Sequence, residues 1–113
     1  MSAIAAIFNV PSTQNELDAW SFAHQAHHRD INRRIFELTQ DVLPDYVLDP
    51  LDPKDVQVWL YQHQDLHQRM DQLLGISGND LLDVDFSDRN ELAGWIWLNS
   101  SEHYQASNIL EIG

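Results

Sequence analysis

Apolar positions recur at three- and four-residue steps in three stretches of the chain, the spacing that lines up one face of an α-helix. The clearest is Val56 to Leu74. There Val56, Trp59, Leu60, Leu66, Met70, Leu73 and Leu74 form the stripe, with His63 and His67 in its middle. An earlier stretch reads Leu17, Trp20, His24, His27, Ile31, Ile35 and Leu38, with His28, Arg29, Arg33 and Arg34 off the stripe. A later one reads Leu92, Trp95, Ile96, Asn99, His103, Ala106, Ile109 and Leu110, and Trp97 and Leu98 widen its apolar surface.

Capping residues set the boundaries. Thr13 with Glu16 makes a capping box, so the first helix is predicted from Ser12 or Thr13 to Thr39 or Gln40. Asp52-Pro53 opens the second helix and Gly75 stops it. Asp88 with Glu91 makes another box, starting the third at Ser87 or Asp88. The connections 41–53 and 75–87 are long for helix–helix links. Prolines 44, 50 and 53 break the first, and Gly78-Asn79-Asp80 turns the second. Yet the first carries Val42, Leu43, Tyr46, Val47, Leu48 and Leu51, and the second Leu81, Leu82, Val84 and Phe86. Such residues predict ordered crossings, packed along the bundle or, for 41–53, docked on another subunit. Residues 1–11 read as an apolar N-terminal arm closed by Pro11, and 12–113 as a single helical domain without internal repeat. The fold class is all-α, a three-helix bundle taken to run up-down-up.

The charge narrows the partners. With 18 acidic and 6 basic residues the chain carries −12, which repels phosphates and argues against direct nucleic-acid contact. The arginines of the first helix are expected to pair with nearby aspartates. There is no cysteine, which removes disulfides, thiolate metal sites and thiol catalysis. The opening MSAIAAIFNV lacks a basic flank and is too short for a signal peptide or a membrane span, so a cytosolic origin is expected.

No catalytic motif emerges, and an enzyme is not expected. Glycine-rich phosphate loops, GxSxG and HExxH are missing, and Asp80, Asp83, Asp85 and Asp88 lack the spacing of a calcium loop. The chemistry-bearing feature is a polar centre: His24 and His27, His63 and His67, and Asn99 and His103 beside Glu102. Two readings compete. In one, the imidazoles form a structural hydrogen-bond network that fixes helix register. In the other, His24 with His28, or His63 with His67, forms an i, i+4 metal pair completed by His103 or Glu102. The structural reading is the expectation, with no metal and no cofactor. The apolar surplus predicts self-association or a protein partner, through Ile4, Ile7, Phe8 and one of Trp95 or Trp97.

Several runs resemble small acidic proteins encoded among the late structural genes of tailed bacteriophages. They are Trp59-Leu60-Tyr61-Gln62-His63-Gln64, Leu74-Gly75-Ile76, Asp80-Leu81 with Val84-Asp85, Glu102-His103-Tyr104-Gln105-Ala106, and His28-Arg29-Asp30-Ile31. The resemblance covers about two thirds of the chain and carries over no catalytic residue. It implies a virion-associated structural or assembly protein, present in several copies and touching itself or other virion proteins. Such a protein would be found first in the host cytoplasm and then in the particle. The alternatives are an acidic host-directed inhibitor of the DNA-mimic type and a histidine metal-binding bundle.

Overall fold

The Thr13 side chain accepts the Glu16 N–H at 3.1 Å, and the Glu16 carboxylate reaches back to the Ser12 N–H at 2.9 Å. This box starts α1, Gln14–Thr39. In the computed structural model, which describes residues 6–46 and 56–112, it is followed by α2, Val56–Leu74, and α3, Arg89–Leu110. Asp88 caps α3 by accepting the N–H groups of Asn90 and Glu91. Gly75, at φ +70°, ends α2 in the left-handed region, and Ile76 N–H then bonds the Asp71 carbonyl. The three helices form an all-α bundle, and no strand occurs among the described residues. The Asp52 cap and residues 47–55 lie outside the described residues.

The helices do not run up-down-up. Trp20, Trp59 and Trp95, all near helix starts, meet at one end, with centroids 5.8 Å (Trp20–Trp95) and 5.6 Å (Trp59–Trp95) apart. One turn on, His24 faces His63 at 5.0 Å. One turn further, His28 faces His67 at 5.0 Å and His103 at 4.3 Å. Contacts that advance in step along all three helices require parallel axes. That topology explains the long connections. Helix α2 has 19 residues and spans about 28 Å, which the chain must retrace before α3 begins. Residues 75–88 reach about 46 Å when extended, enough for the return.

Side-chain amides hold the returning strands of chain. Gln64 donates to the Asn79 carbonyl and accepts the Leu81 N–H, the Trp95 indole donates to the Leu81 carbonyl, and Phe86 ends against Trp59. The second crossing thus runs back along α2. The first retraces α1: Asn32 donates to the Pro44 carbonyl, Gln25 to the Tyr46 carbonyl, and the Tyr46 hydroxyl to Asp65. Leu43, Ile76 and Leu81 are buried, as anchors of ordered crossings should be, whereas Val42 is exposed. Leu38, Leu73 and Ile109, read as stripe residues, are also largely exposed. They sit on faces of the last turns that turn away from the core, since Leu110, next to Ile109, is buried and Leu74, next to Leu73, packs against the core.

The described part of the arm, residues 6–11, folds back on its own bundle. The Ile7 carbonyl accepts the Trp20 indole N–H at 3.1 Å and the Ser100 hydroxyl at 2.7 Å, and the Ile7 side chain is fully buried. Ile7 and Trp95 are therefore core residues of their own chain, not free surface for an intermolecular contact. Ile4 lies outside the described residues. Phe8 packs edge-on against Trp97 and Tyr104, which remain exposed. The α1 arginines pair within the chain: Arg33 with Asp30 and Glu37, Arg34 with Glu37, Arg29 with Asp45. These are surface pairs of small worth. No helix among the described residues is long and apolar enough to cross a membrane.

Leu60 is buried and its neighbour Tyr61 is 65% exposed. Leu60→Ala is expected to destabilise the fold by about 2–5 kcal/mol and Tyr61→Ala by less than about 0.5 kcal/mol. Paired denaturant titrations measure both, and equal losses would contradict the assigned helix face.

Candidate metal centre

Each helix carries the same spacing on its inner face. Trp20, His24 and His28 lie four apart in α1, Trp59, His63 and His67 in α2, and Trp95, Asn99 and His103 in α3. Because the helices are parallel, equal spacing produces flat layers. The tryptophans form the first. His24, His63 and Asn99 form the second, and His28, His67 and His103 the third. The first layer seals the second: Trp20 stacks on His24 at 4.5 Å and Trp59 on His63 at 4.8 Å. His24, His63, Asn99 and His103 have no exposed surface, and His28 and His67 only 1% each.

The ring nitrogens converge between the two donor layers. His24 Nε2 lies 3.2 Å from His28 Nε2, 3.2 Å from His63 Nε2 and 3.3 Å from Asn99 Oδ1. His67 Nε2 lies 3.2 Å from His103 Nε2. One ligand nitrogen from each of His24, His28, His63, His67 and His103 falls within 4.8 Å of all the others. These contacts are poor hydrogen bonds taken together. An imidazole nitrogen has a single in-plane site, so His24 Nε2 can satisfy only one of its three neighbours. Meanwhile the Nδ1 atoms of His24, His28 and His63, and Asn99 Nδ2, are buried without a partner among the described residues. Each such group costs about 1–3 kcal/mol. The distances suit a coordination sphere better. Donors about 2.1 Å from a cation and 90° apart are about 3.0 Å from one another, and opposite donors about 4.2 Å. Five imidazole nitrogens from the three helices, with Asn99 Oδ1 3.3 Å from one of them, thus offer up to six donor atoms around one buried point.

Two of the three outer nitrogens of the third layer, those of His67 and His103, have partners. His67 Nδ1 meets Glu102 Oε1 at 3.3 Å, the carboxylate–histidine arrangement that turns Nε2 inward as a lone pair. His103 Nδ1 meets His27 Nδ1 at 2.6 Å, and His27 Nε2 meets the Ser107 hydroxyl at 2.7 Å. Glu102 Oε2 accepts both the backbone and side-chain N–H groups of Asn79. Behind it stands Asp71, the two carboxyls sharing a hydrogen bond. Burial, and then the neighbouring Glu102, hold the Asp71 carboxyl protonated well above the usual carboxylate range. Burial alone would raise Glu102 too, but donors from His67, Asp71 and Asn79 outweigh it and keep Glu102 below its ordinary value. Burial pushes His24, His28, His63 and His103 well below the ordinary imidazole value, and His27 to about 4.

All six residues weighed as metal ligands from the sequence, His24, His28, His63, His67, His103 and Glu102, come together here. His28, read as off the stripe, lies inside the cluster, because residues four apart on a helix differ by only about 40°. Asn99 was read as a core polar group, and Asp71 was not singled out at all. The shared four-residue spacing was the available signal for Asn99, but it becomes a repeat only once the helices are known to be parallel. Known protein families, curated proteins and solved structures give no match to this chain.

The neutral core makes stability depend on pH. Imidazoles with folded values below the unfolded value of about 6.5 stabilise the fold fully above that pH. Below it, the unfolded chain takes up protons that the fold refuses, and each such group loses about 1.4 kcal/mol per pH unit until its folded value is reached. Asp71 acts oppositely, since its folded form keeps a proton that the unfolded chain releases, but it is one group against the five histidines. The melting temperature of chelator-treated protein is expected to fall by about 15 °C or more between pH 7 and pH 5.5. A flat profile would refute neutral burial.

Proposed function

We propose that this chain is a metal-binding bundle that holds one six-coordinate divalent transition-metal ion between its helices. The reading rests on one observation: buried ring nitrogens of His24, His28, His63, His67 and His103 all lie within 4.8 Å of one another, with His24 Nε2 3.2–3.3 Å from donors of His28, His63 and Asn99 and His67 Nε2 3.2 Å from His103 Nε2. It reverses the expectation that the histidines form a purely structural network. Five imidazoles and one amide oxygen suit iron(II), cobalt(II) or nickel(II), whose chemistry favours nitrogen-rich sites. Zinc prefers four donors. The ligands are neutral, so the buried dication draws its nearest compensating charge from Glu102 through His67. Because the donors are sealed from solvent, the role is to hold an ion that joins three helices, and not to turn over a substrate.

Titration of chelator-treated protein with nickel(II) or cobalt(II) is expected to show one tight equivalent. Trp20 and Trp59 stack on ligand rings, so binding should quench tryptophan fluorescence. At free ion a thousandfold above Kd the fold should gain about 4 kcal/mol. Glu102→Gln should weaken binding by about 10–100-fold, and His63→Ala by at least as much. Protein refolded with these ions that retains none would sink the reading.

A second reading concerns assembly. Phe22, Trp97 and Tyr104 are exposed at 79%, 64% and 53%, and Phe8 joins the last two in one aromatic patch. Aromatic anchors dominate protein interfaces, and this patch supports a role among virion proteins, the metal stabilising a small structural component. Trp97→Ser is expected to reduce self-association or particle incorporation with little change in melting temperature, measured by sedimentation. An unchanged sedimentation profile, with normal incorporation, would remove the patch from that role.

A further inference from the structure

A surface groove of about 760 Å³ runs beside α2 and under the second crossing, lined by Gln68, Asp71, Gln72, Asn79 and Asp80 among others. Its wall reaches inward at Asp71, which is only 6% exposed. Asp71 Oδ1 is buried without a partner among the described residues. Glu102 stands behind it, and His67 behind Glu102. Donor atoms of His67, Asp71 and Glu102 lie within 4.8 Å of one another. The crossing makes room for this arrangement. A Cβ added at Gly78 would stand 2.8 Å from Asp71 Oδ2, so only glycine leaves the carboxylate its present position.

We infer that Asp71 and Glu102, the latter oriented by the Nδ1–H of His67, form a second cation site, which takes an oxygen-preferring hydrated divalent ion from the groove. The donor set differs from the inner one: two carboxyl groups, open on one side to water. Manganese(II) and magnesium(II) favour such oxygen-rich, partly hydrated sites, and nitrogen-rich sites select other ions. The proton that Asp71 shares with Glu102 now holds the two carboxyls together; a cation from the groove would displace it, and the unpartnered Oδ1 is a further oxygen free to bind one. His67 faces the inner layers with Nε2 and donates its Nδ1–H to Glu102, so one ring orients the carboxylate that both positions depend on. The site lies between solvent and the sealed histidine layers, which makes it the natural landing point for ions on their way inward. The second site builds on the proposed inner site for that route, but its own geometry does not require the inner site to be filled.

Manganese(II) binding followed by electron paramagnetic resonance tests the site, on chelator-treated protein and on protein loaded beforehand with nickel(II). One manganese ion is expected in each. Asp71→Asn should abolish it, Gly78→Ala should weaken it at least tenfold, and His24→Ala should leave it in place. Nickel loading followed by tryptophan quenching should slow at least tenfold in Asp71→Asn, with the final occupancy retained. Wild-type protein that binds no manganese, or Asp71→Asn and Gly78→Ala proteins that bind it as the wild type does, would overturn the outer site. A protein that binds manganese but no nickel would overturn the inner site alone.

Discussion

Burying six imidazoles in the middle of a 113-residue domain is the constraint on which this structure depends. A core of this size gains its stability from a few apolar clusters, and every polar group placed among them must find partners or lose free energy. His27, His67 and His103 do so: Ser107, His27, His103, His67 and Glu102 form an unbroken chain of contacts from one side of the bundle to the other, whereas His28 leaves its Nδ1 unpartnered among the described residues. The second layer does not. Its histidines crowd their nitrogens together and leave their outer nitrogens unpartnered among the described residues. One cation in the centre would turn that crowding from a loss into a binding energy, since it draws on every lone pair at once and leaves each Nδ1 as the only proton-bearing nitrogen.

Parallel helices follow from the same demand. In an antiparallel bundle, the Trp–His–His order of α1 and α2 and the Trp–Asn–His order of α3 would set tryptophans against aliphatic residues at opposite ends. With all three helices in one direction, identical spacing puts like against like, and the donors form two layers. The cost is two connections that must cross the length of the bundle. The crossings are stabilised by specific amide contacts from Gln25, Asn32 and Gln64, and by buried Leu43, Ile76 and Leu81. The second crossing also supplies Asn79 to Glu102 and Gly78 beside Asp71, so the segment that makes parallel packing possible also completes the surroundings of the site.

Much of this was legible in the sequence. Thr13 with Glu16 and Asp88 with Glu91 cap the helices where their spacing says they should, and Gly75 stops α2. These are local signals, set by backbone groups within a few residues. The apolar studs in both connections marked them as ordered. Helix direction was not legible, because the stripes of a parallel and an antiparallel bundle have the same period. The length of the connections was the only hint. The placement of His28 and the meeting of Asp71 with Glu102 depend on that direction, so the full donor set stayed hidden even though most of its members had been singled out. The exposure of Leu38, Leu73 and Ile109 shows the opposite error, where apolar residues at the edge of a stripe fall outside the buried face, as Ile109 does beside buried Leu110.

The two flanks of the histidine layers differ in a way that bears on what the bundle can do. On one side lies a tryptophan layer, dry and stacked, with an apolar pocket lined by Leu17, Trp20, Trp59, Phe86 and Trp95 beyond it. On the other, Glu102 and Asp71 lead to a polar groove. A cation crossing the first flank would shed its water against aromatic faces alone, whereas the second offers oxygen ligands at each step. The net charge of −12 draws cations toward the chain in general, but only the carboxyl flank gives them a path of graded donors, from water to carboxylate to imidazole. In the proposed reading, an ion that arrived this way would end among neutral, rigid rings held by three helices at once. Leaving would then require parting the helices, so release would be slow, and the bound ion and the folded bundle would stabilise one another.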